Sequence, residues 1–208
     1  MPESRSPSTS KIAPPDEQRF RQLNDPTVMR ALTHPVRLAL LETLALEGPL
    51  SATEAGTLIG ESPTTCSFHF RQLAKYGFVE QDSVGPGRQR HWKIAHLGMY
   101  MDNTADDPAM NVAATSLETL LRRRAFDRLQ AFQEAKSSYP RAWQEAADSI
   151  QSIIFLTPEE LTEVNARLFE VIDRFSERIT DPGQRPSGAL PVEVLTFTFP
   201  IRLSESPS

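Results

Sequence analysis

Between Ser62 and Arg90 the chain gathers side chains that donate hydrogen bonds and carry positive charge: Ser62, Thr64, Thr65, Ser67, His69, Arg71, Gln72 and Lys75, then Arg88, Gln89 and Arg90. An Arg fork fits the paired acceptors of a guanine edge, and a Gln carboxamide fits an adenine edge. Hydroxyls and a proline-led helix N-terminus suit phosphate oxygens. A basic turn beyond them can reach flanking phosphates or the minor groove. The residue types therefore point to recognition of double-stranded DNA and not to bond making.

Other chemistries find no frame. The sequence holds no phosphate-binding glycine loop, no G-x-S-x-G elbow, no H-E-x-x-H and no paired catalytic carboxylates, so no enzyme is expected. Glu159-Glu160 reads as helix-start charge that favours the macrodipole. The four histidines, His34, His69, His91 and His96, lack H-x-x-x-H spacing, and one cysteine, Cys66, permits neither an intrachain disulfide nor a thiolate cluster. No metal and no cofactor is expected. Cys66 lies near a helix N-terminus, where a thiol can become reactive, but a small buried apolar role suits a lone cysteine better. His34 precedes a proline and reads as structural; His91 and His96 flank Trp92. His69 suits a base or phosphate contact and a packing role equally.

The net charge of −5 over 208 residues is unevenly spread. Residues 62–93 carry +3, whereas residues 101–208 carry −6. Association with phosphate follows the local field within a Debye length, so the total is no objection to DNA. With 39% hydrophobic and 24% charged residues the composition is that of a globular protein. No apolar run is long enough to span a membrane, and the start lacks the apolar stretch of a secretory signal, which points by default to the cytoplasm.

The elements that must position these groups are marked by their caps. Residues 1–18, rich in Ser, Pro and charge, read as a disordered tail. Asp25-Pro26 starts a short helix to about Leu32, and Pro35 opens a second to about Glu47, with Val36, Leu40, Leu41 and Leu44 inward. Ser51 and Glu54 fit a capping box for a helix with Ala55, Leu58 and Ile59 inward, closed by Gly60. Ser62-Pro63 opens the helix through Lys75, with Phe70, Leu73 and Phe68 as its apolar positions. The period then switches to two: 78–84 and 88–94 read as the strands of a hairpin around Gly85-Pro86-Gly87.

A polar break near 100–112 precedes a long helix over about 116–138, striped by Leu117, Leu121, Ala125, Leu129 and Phe132. Its Arg122-Arg123-Arg124 run reads as a solvated face, with DNA or partner contact as the alternative. A short helical piece surrounds Trp143. Residues 152–156 form an apolar run read as a buried strand. Thr157 and Glu160 cap a further helix with Leu161, Val164, Leu168, Val171, Ile172, Phe175 and Ile179 on one face. After a Pro/Gly-rich linker at 181–191, residues 192–201 alternate and are expected to pair with 152–156. Trp143, Phe155, Phe169, Phe197 and Phe199 are candidates for lining a small-molecule pocket, with core packing as the plainer reading.

Leu32-Thr33-His34-Pro35-Val36-Arg37-Leu38 and Ser67-Phe68-His69-Phe70-Arg71-Gln72-Leu73-Ala74-Lys75-Tyr76-Gly77-Phe78-Val79 resemble two motifs of the ArsR-type winged-helix regulators. Phe70 and Phe78 stand where that family usually has leucine. The resemblance covers residues 26–97 and implies a homodimeric, operator-binding regulator tuned by an effector. Metal sensors of the family carry a cysteine-rich motif on the helix before the reader; Ser51–Leu58 has no cysteine, so metal sensing at that site is ruled out.

The expected fold is mainly α with small β: a tail at 1–18, a winged helix-turn-helix at 19–100, and a helical dimerisation and possible effector region at 110–203 with a short two-stranded sheet. The expected function is sequence-specific DNA binding by a homodimeric regulator, more a repressor than an activator. Its expected partners are operator DNA, a second copy and a possible small-molecule effector, with no membrane. The alternative is a winged-helix module that binds protein without specific DNA binding.

Overall fold

The computed structural model describes residues 19–82, 90–101 and 107–201. The tail at 1–18, the hairpin tip at 85–87, and Arg88 and Gln89 lie outside the described residues.

The first helices sit where their caps put them. Asp25 accepts the Thr27 amide and Pro26 takes the first position of α1 (Pro26–Leu32). α2 (Pro35–Glu47) ends at Gly48, whose φ of +96° few side chains tolerate. Strand β2 (Leu50–Ser51) leads into α3 (Ala52–Ile59), where Ser51 and Glu54 form the expected capping box. α4 (Pro63–Lys75) follows, capped by Ser62. Strands β3 (Val79–Asp82) and β4 (His91–Ile94) then pair antiparallel, and β4 also pairs with β2, giving a sheet of order β2-β4-β3. The hairpin is thereby stitched to the residues that start α3.

One core unites these elements. Leu38, Leu40 and Leu44 of α2, Ala55 of α3, Cys66, Phe70 and Leu73 of α4, and Phe78, Val79 and Trp92 of the sheet are all buried. Phe70 stacks on Trp92 with ring centroids 5.6 Å apart, which joins α4 to the middle strand. Two residues expected inside are outside: Leu58 and Phe68 are exposed. The buried set of α4 is Cys66, His69, Phe70 and Leu73, spaced i, i+3, i+4, i+7, and Phe68 falls on the other side of that wheel.

A second, two-stranded sheet has no counterpart in the local sequence pattern. β1 (Phe20–Leu23) runs parallel to β5 (Gly98–Met101), pairing Phe20 with Gly98 and Leu23 with Met101. α5 (Pro108–Ala135) begins earlier than expected, because Asp107 caps it by accepting the Ala109 amide and Pro108 follows. Its first turns bury Met110, Ala113, Ala114 and Leu117 in the same core, packed against α1. Farther along, Arg124 and Arg128 both reach Glu42 of α2, and Arg128 Nε also donates to Glu193 at 2.9 Å. Burial opposes the Glu42 charge, but the two guanidiniums outweigh it and hold the carboxyl below the usual range.

The rest is helical pieces and extended chain: α6 (Arg141–Ala146), which holds Trp143, α7 (Pro158–Asp173) with the expected Thr157–Glu160 capping box, and α8 (Glu177–Thr180). The expected pair of strands at 152–156 and 192–201 does not form. Both segments lack regular structure and are largely exposed, with Ile153 at 73% and Phe155 at 92% of full exposure. Alternation alone does not make a strand; each segment needs a neighbouring strand for its backbone groups, and neither pairs with one here.

Candidate nucleic-acid interface

The site is built by a tight turn between α3 and α4. Gly60 closes α3 in the left-handed conformation (φ +75°), and Ser62 restarts the helix three residues before the amide it caps. Gly56 makes the approach close: a Cβ there would lie 2.6 Å from the Glu61 carbonyl oxygen. Ser62 Oγ accepts the Thr65 amide at 3.0 Å and lies 2.8 Å from Thr65 Oγ1, so both hydroxyls are engaged at the helix start.

With its inner stripe fixed by Cys66, Phe70 and Leu73, α4 turns Thr64, Phe68, Arg71 and Lys75 outward. They recur at i, i+4, i+7 and i+11, one continuous face about three turns long. Thr65, Ser67 and Gln72 flank it, half-buried, and Ser62 stands exposed at its N-terminal end. Phe68, half exposed at 50%, is the member that sequence reasoning assigned to the core. An outward phenyl ring is an apolar contact of the kind a thymine methyl accepts.

His69 leaves this surface. It is only 7% exposed, its ring centroid 4.4 Å from that of His34 and 5.2 Å from that of Phe68. Neither His34 nor His69 has a hydrogen-bond partner at its buried Nδ1 among the described residues. Burial pushes the His69 pKa down, and the neighbouring His34 and Arg37 push it further, so the ring is neutral at pH 7. Of its two readings, packing is the one the geometry supports. Cys66 is fully buried and its thiol pKa is raised, by burial first and by Glu61 second, which is the opposite of the activated thiolate a redox switch needs.

In the wing, Arg90 is exposed immediately before β4. Lys93 is spoken for: its Nζ lies 3.3 Å from Glu80 Oε1 and 3.9 Å from Asp82 Oδ1 across the hairpin. His91 Nε2 lies 3.5 Å from Glu54 Oε2, linking the wing to α3. On α4 and the wing, among the described residues, the exposed cations are thus Arg71, Lys75 and Arg90, with Lys93 held by its two carboxylates. Arg124 is tied to Glu42, whereas Arg122 and Arg123 are exposed. No group of three or more metal-ligating side chains occurs among the described residues. No helix among them is long and apolar enough to cross a membrane.

Of the five aromatic residues considered for a pocket, Phe155 is almost wholly exposed and Phe197 stacks on Phe126, centroids 5.8 Å apart. Phe169 lines a cavity beside β1.

Residues 32–82 match a domain family described as a helix-turn-helix domain, so this segment is a helix-turn-helix. The match falls on the residues that carry the resemblance to ArsR-type winged helices. Among solved structures, the chain is similar to the homodimeric winged helix-turn-helix DNA-binding domain of Mb0332 from Mycobacterium bovis, a possible ArsR-family transcriptional regulator. That likeness has 24% identity over 50% of this chain and 80% of the other, with a TM-score of 0.32. It is also similar to the transcriptional repressor BigR from Xylella fastidiosa, at 26% identity over 47% of this chain and 83% of that one, TM-score 0.30. The transcriptional regulator Tm0710 from Thermotoga maritima shares 15% identity over 71% of this chain and 82% of its own, TM-score 0.27. Overlays at such TM-scores carry no weight for function. None of the curated proteins compared matches the chain.

Proposed function

We propose that this winged helix-turn-helix protein is a sequence-specific DNA-binding transcription regulator, that it acts as a homodimer, and that it represses by occluding its promoter. The observation that carries the reading is the outward face of α4, where Thr64, Phe68, Arg71 and Lys75 line up on the second helix of a helix-turn-helix. That is the helix such domains insert into the major groove. Thr65, Ser67 and Gln72 border the face, and Ser62 and Thr64 stand at its N-terminus, where backbone N–H groups favour phosphate. Arg90 just before β4, with Arg88 and Gln89 ahead of it in the sequence, serves the flank.

Dimerisation is supported by a need and by a surface. One reading helix covers a single half-site, and two half-sites about one DNA turn apart require two copies. Val112 on α5, Leu168 and Val171 on α7, and Phe175 in the turn just beyond α7 are exposed apolar residues. The protein works in the cytoplasm on this reading, where its DNA is.

Mobility shift and anisotropy against DNA upstream of its own gene and its neighbours test the proposal. Salt-sensitive, sequence-preferring binding that is lost in an Arg71→Ala/Gln72→Ala double variant supports it. Binding that ignores sequence, or survives the double variant, overturns it. The exposed phenyl ring of Phe68 favours one second reading, a docking surface for another protein; capture of a protein partner lost in Phe68→Ala, without specific DNA binding, would select it.

A further inference from the structure

Strand β1 straps together two helices that are far apart in sequence. Arg19 Nη1 lies 3.5 Å from Asp173 Oδ2 at the end of α7, and Arg19 Nη2 donates to Ser176 Oγ just beyond. The Phe20 ring meets Phe169 of α7 edge-on, with centroids 5.0 Å apart and planes at 70°. Arg21 donates to the Tyr76 carbonyl at the C-terminal cap of α4, and its guanidinium lies 4.6 Å above the Phe78 ring. Three consecutive residues therefore hold the end of α7 on one side and the end of the reading helix on the other.

Beside Phe20 lies a cavity of about 360 Å³, bounded also by Tyr100, Asn165, Phe169, Ile172 and Thr196. Volumes from about 300 Å³ upward are those of small-molecule sites. The cavity is room left along the apolar face of α7, a well-capped amphipathic helix that nonetheless buries none of its residues fully. No charged side chain lines it. The Tyr100 and Thr196 hydroxyls and the Asn165 carboxamide supply polarity, and Asn165 Oδ1 already accepts from Thr198 Oγ1 at 2.9 Å. A charged ligand would lose its hydration there without a counter-charge. A flat ring can lie against Phe20 and Phe169 in the offset or edge-on arrangements that aromatic pairs prefer.

We propose that this cavity binds a neutral planar aromatic molecule bearing one hydrogen-bonding group, and that β1 carries its occupancy to the C-terminal end of α4. Phe20 is seated so closely on Gly98 that a Cβ there would lie 2.8 Å from the ring. The ring consequently cannot move toward Gly98 without displacing the β1–β5 ribbon, to which Arg21 also belongs. The ligand site stands on its own, whereas its regulatory meaning rests on the DNA-binding reading above.

The test uses the full chain with 2-naphthol as the probe and 2-naphthoate as its charged counterpart. Titration calorimetry should give saturable binding of 2-naphthol, about tenfold tighter than that of 2-naphthoate and weakened about tenfold by Ile172→Trp, which fills the cavity. Asn165→Leu serves as the second lining variant should Ile172→Trp melt early. Hydrogen exchange read without DNA should change on 2-naphthol addition at residues 19–23 and also at 72–79. In Arg21→Ala the binding should persist while the response at 72–79 vanishes. No saturable binding, undiminished binding by both lining variants or a preference for 2-naphthoate overturns the site. An undiminished response at 72–79 in Arg21→Ala overturns the strap. Failure of the protein to bind any DNA would sink the regulator reading and leave these results standing.

Discussion

Replacing Lys75 and Lys93 by alanine, one at a time, should separate a cation that faces DNA from one that the protein uses up. Lys75 stands exposed at the end of the outward face of α4, whereas Lys93 is held between Glu80 and Asp82 at 3.3 and 3.9 Å. Each phosphate neutralised contributes about −0.9 to the slope of log K against log salt. Losing Lys75 from both protomers should therefore flatten that slope by about 2, while losing Lys93 should change it by less than about 0.5. Arg71, Lys75 and Arg90, counted in two copies, set a wild-type slope of about −5 before any contribution from Arg88. Fluorescence anisotropy with one duplex, between about 50 and 200 mM salt, reads these slopes directly. If the Lys93 variant flattened the slope as much as the Lys75 variant, the wing would be delivering its lysine to DNA and the assignment of outward cations would be wrong.

The remaining predictions concern the parts that hold the reading helix. His69 has its pKa depressed in the fold, so the stability it contributes is complete above its ordinary value of about 6.5 and is lost as pH falls through the folded-state pKa. Thermal melts between about pH 7.5 and 5 should fall more steeply for the wild type than for His69→Phe; parallel curves would refute the assignment. Gly56→Ala sets a methyl 2.6 Å from the Glu61 carbonyl and should cost about 1–3 kcal/mol in urea unfolding. Phe70→Ala empties a fully buried site stacked on Trp92 and should cost about 3–5 kcal/mol, with loss of DNA binding following loss of fold at 37 °C.

Most of the winged domain could be read from the sequence because its signals are local. Asp25-Pro26, Ser51 with Glu54, Gly60 and Ser62-Pro63 each act on backbone groups within three residues, so their meaning does not wait for tertiary structure. At Phe68, residue type and helical period disagree. Phe68 reads as core by its type, yet Cys66, His69, Phe70 and Leu73 already complete the inner stripe and leave Phe68 outside. Counting the wheel would have exchanged Phe68 and His69. The β1–β5 pairing was invisible because its partners are separated by the whole domain, and no local pattern encodes a parallel neighbour. The alternation at 192–201 was real but insufficient, since a strand's hydrogen bonds belong to a pair and the segment lacks one in the protomer.

The parallel β1–β5 ribbon also fixes the order in which the domain can come together. Phe20 meets Gly98 only when α1 through β4 have brought the intervening chain back on itself, so the ribbon closes the longest loop of this half. Contacts of such sequence separation are repaid late in folding, after the local helices and the hairpin have formed. The ribbon is thus a clasp between the two ends of this half, and Leu23 carries it into the common core. Parting the two strands would also part Arg21 from the Tyr76 carbonyl, so the clasp and the last turn of α4 are fastened by the same short segment.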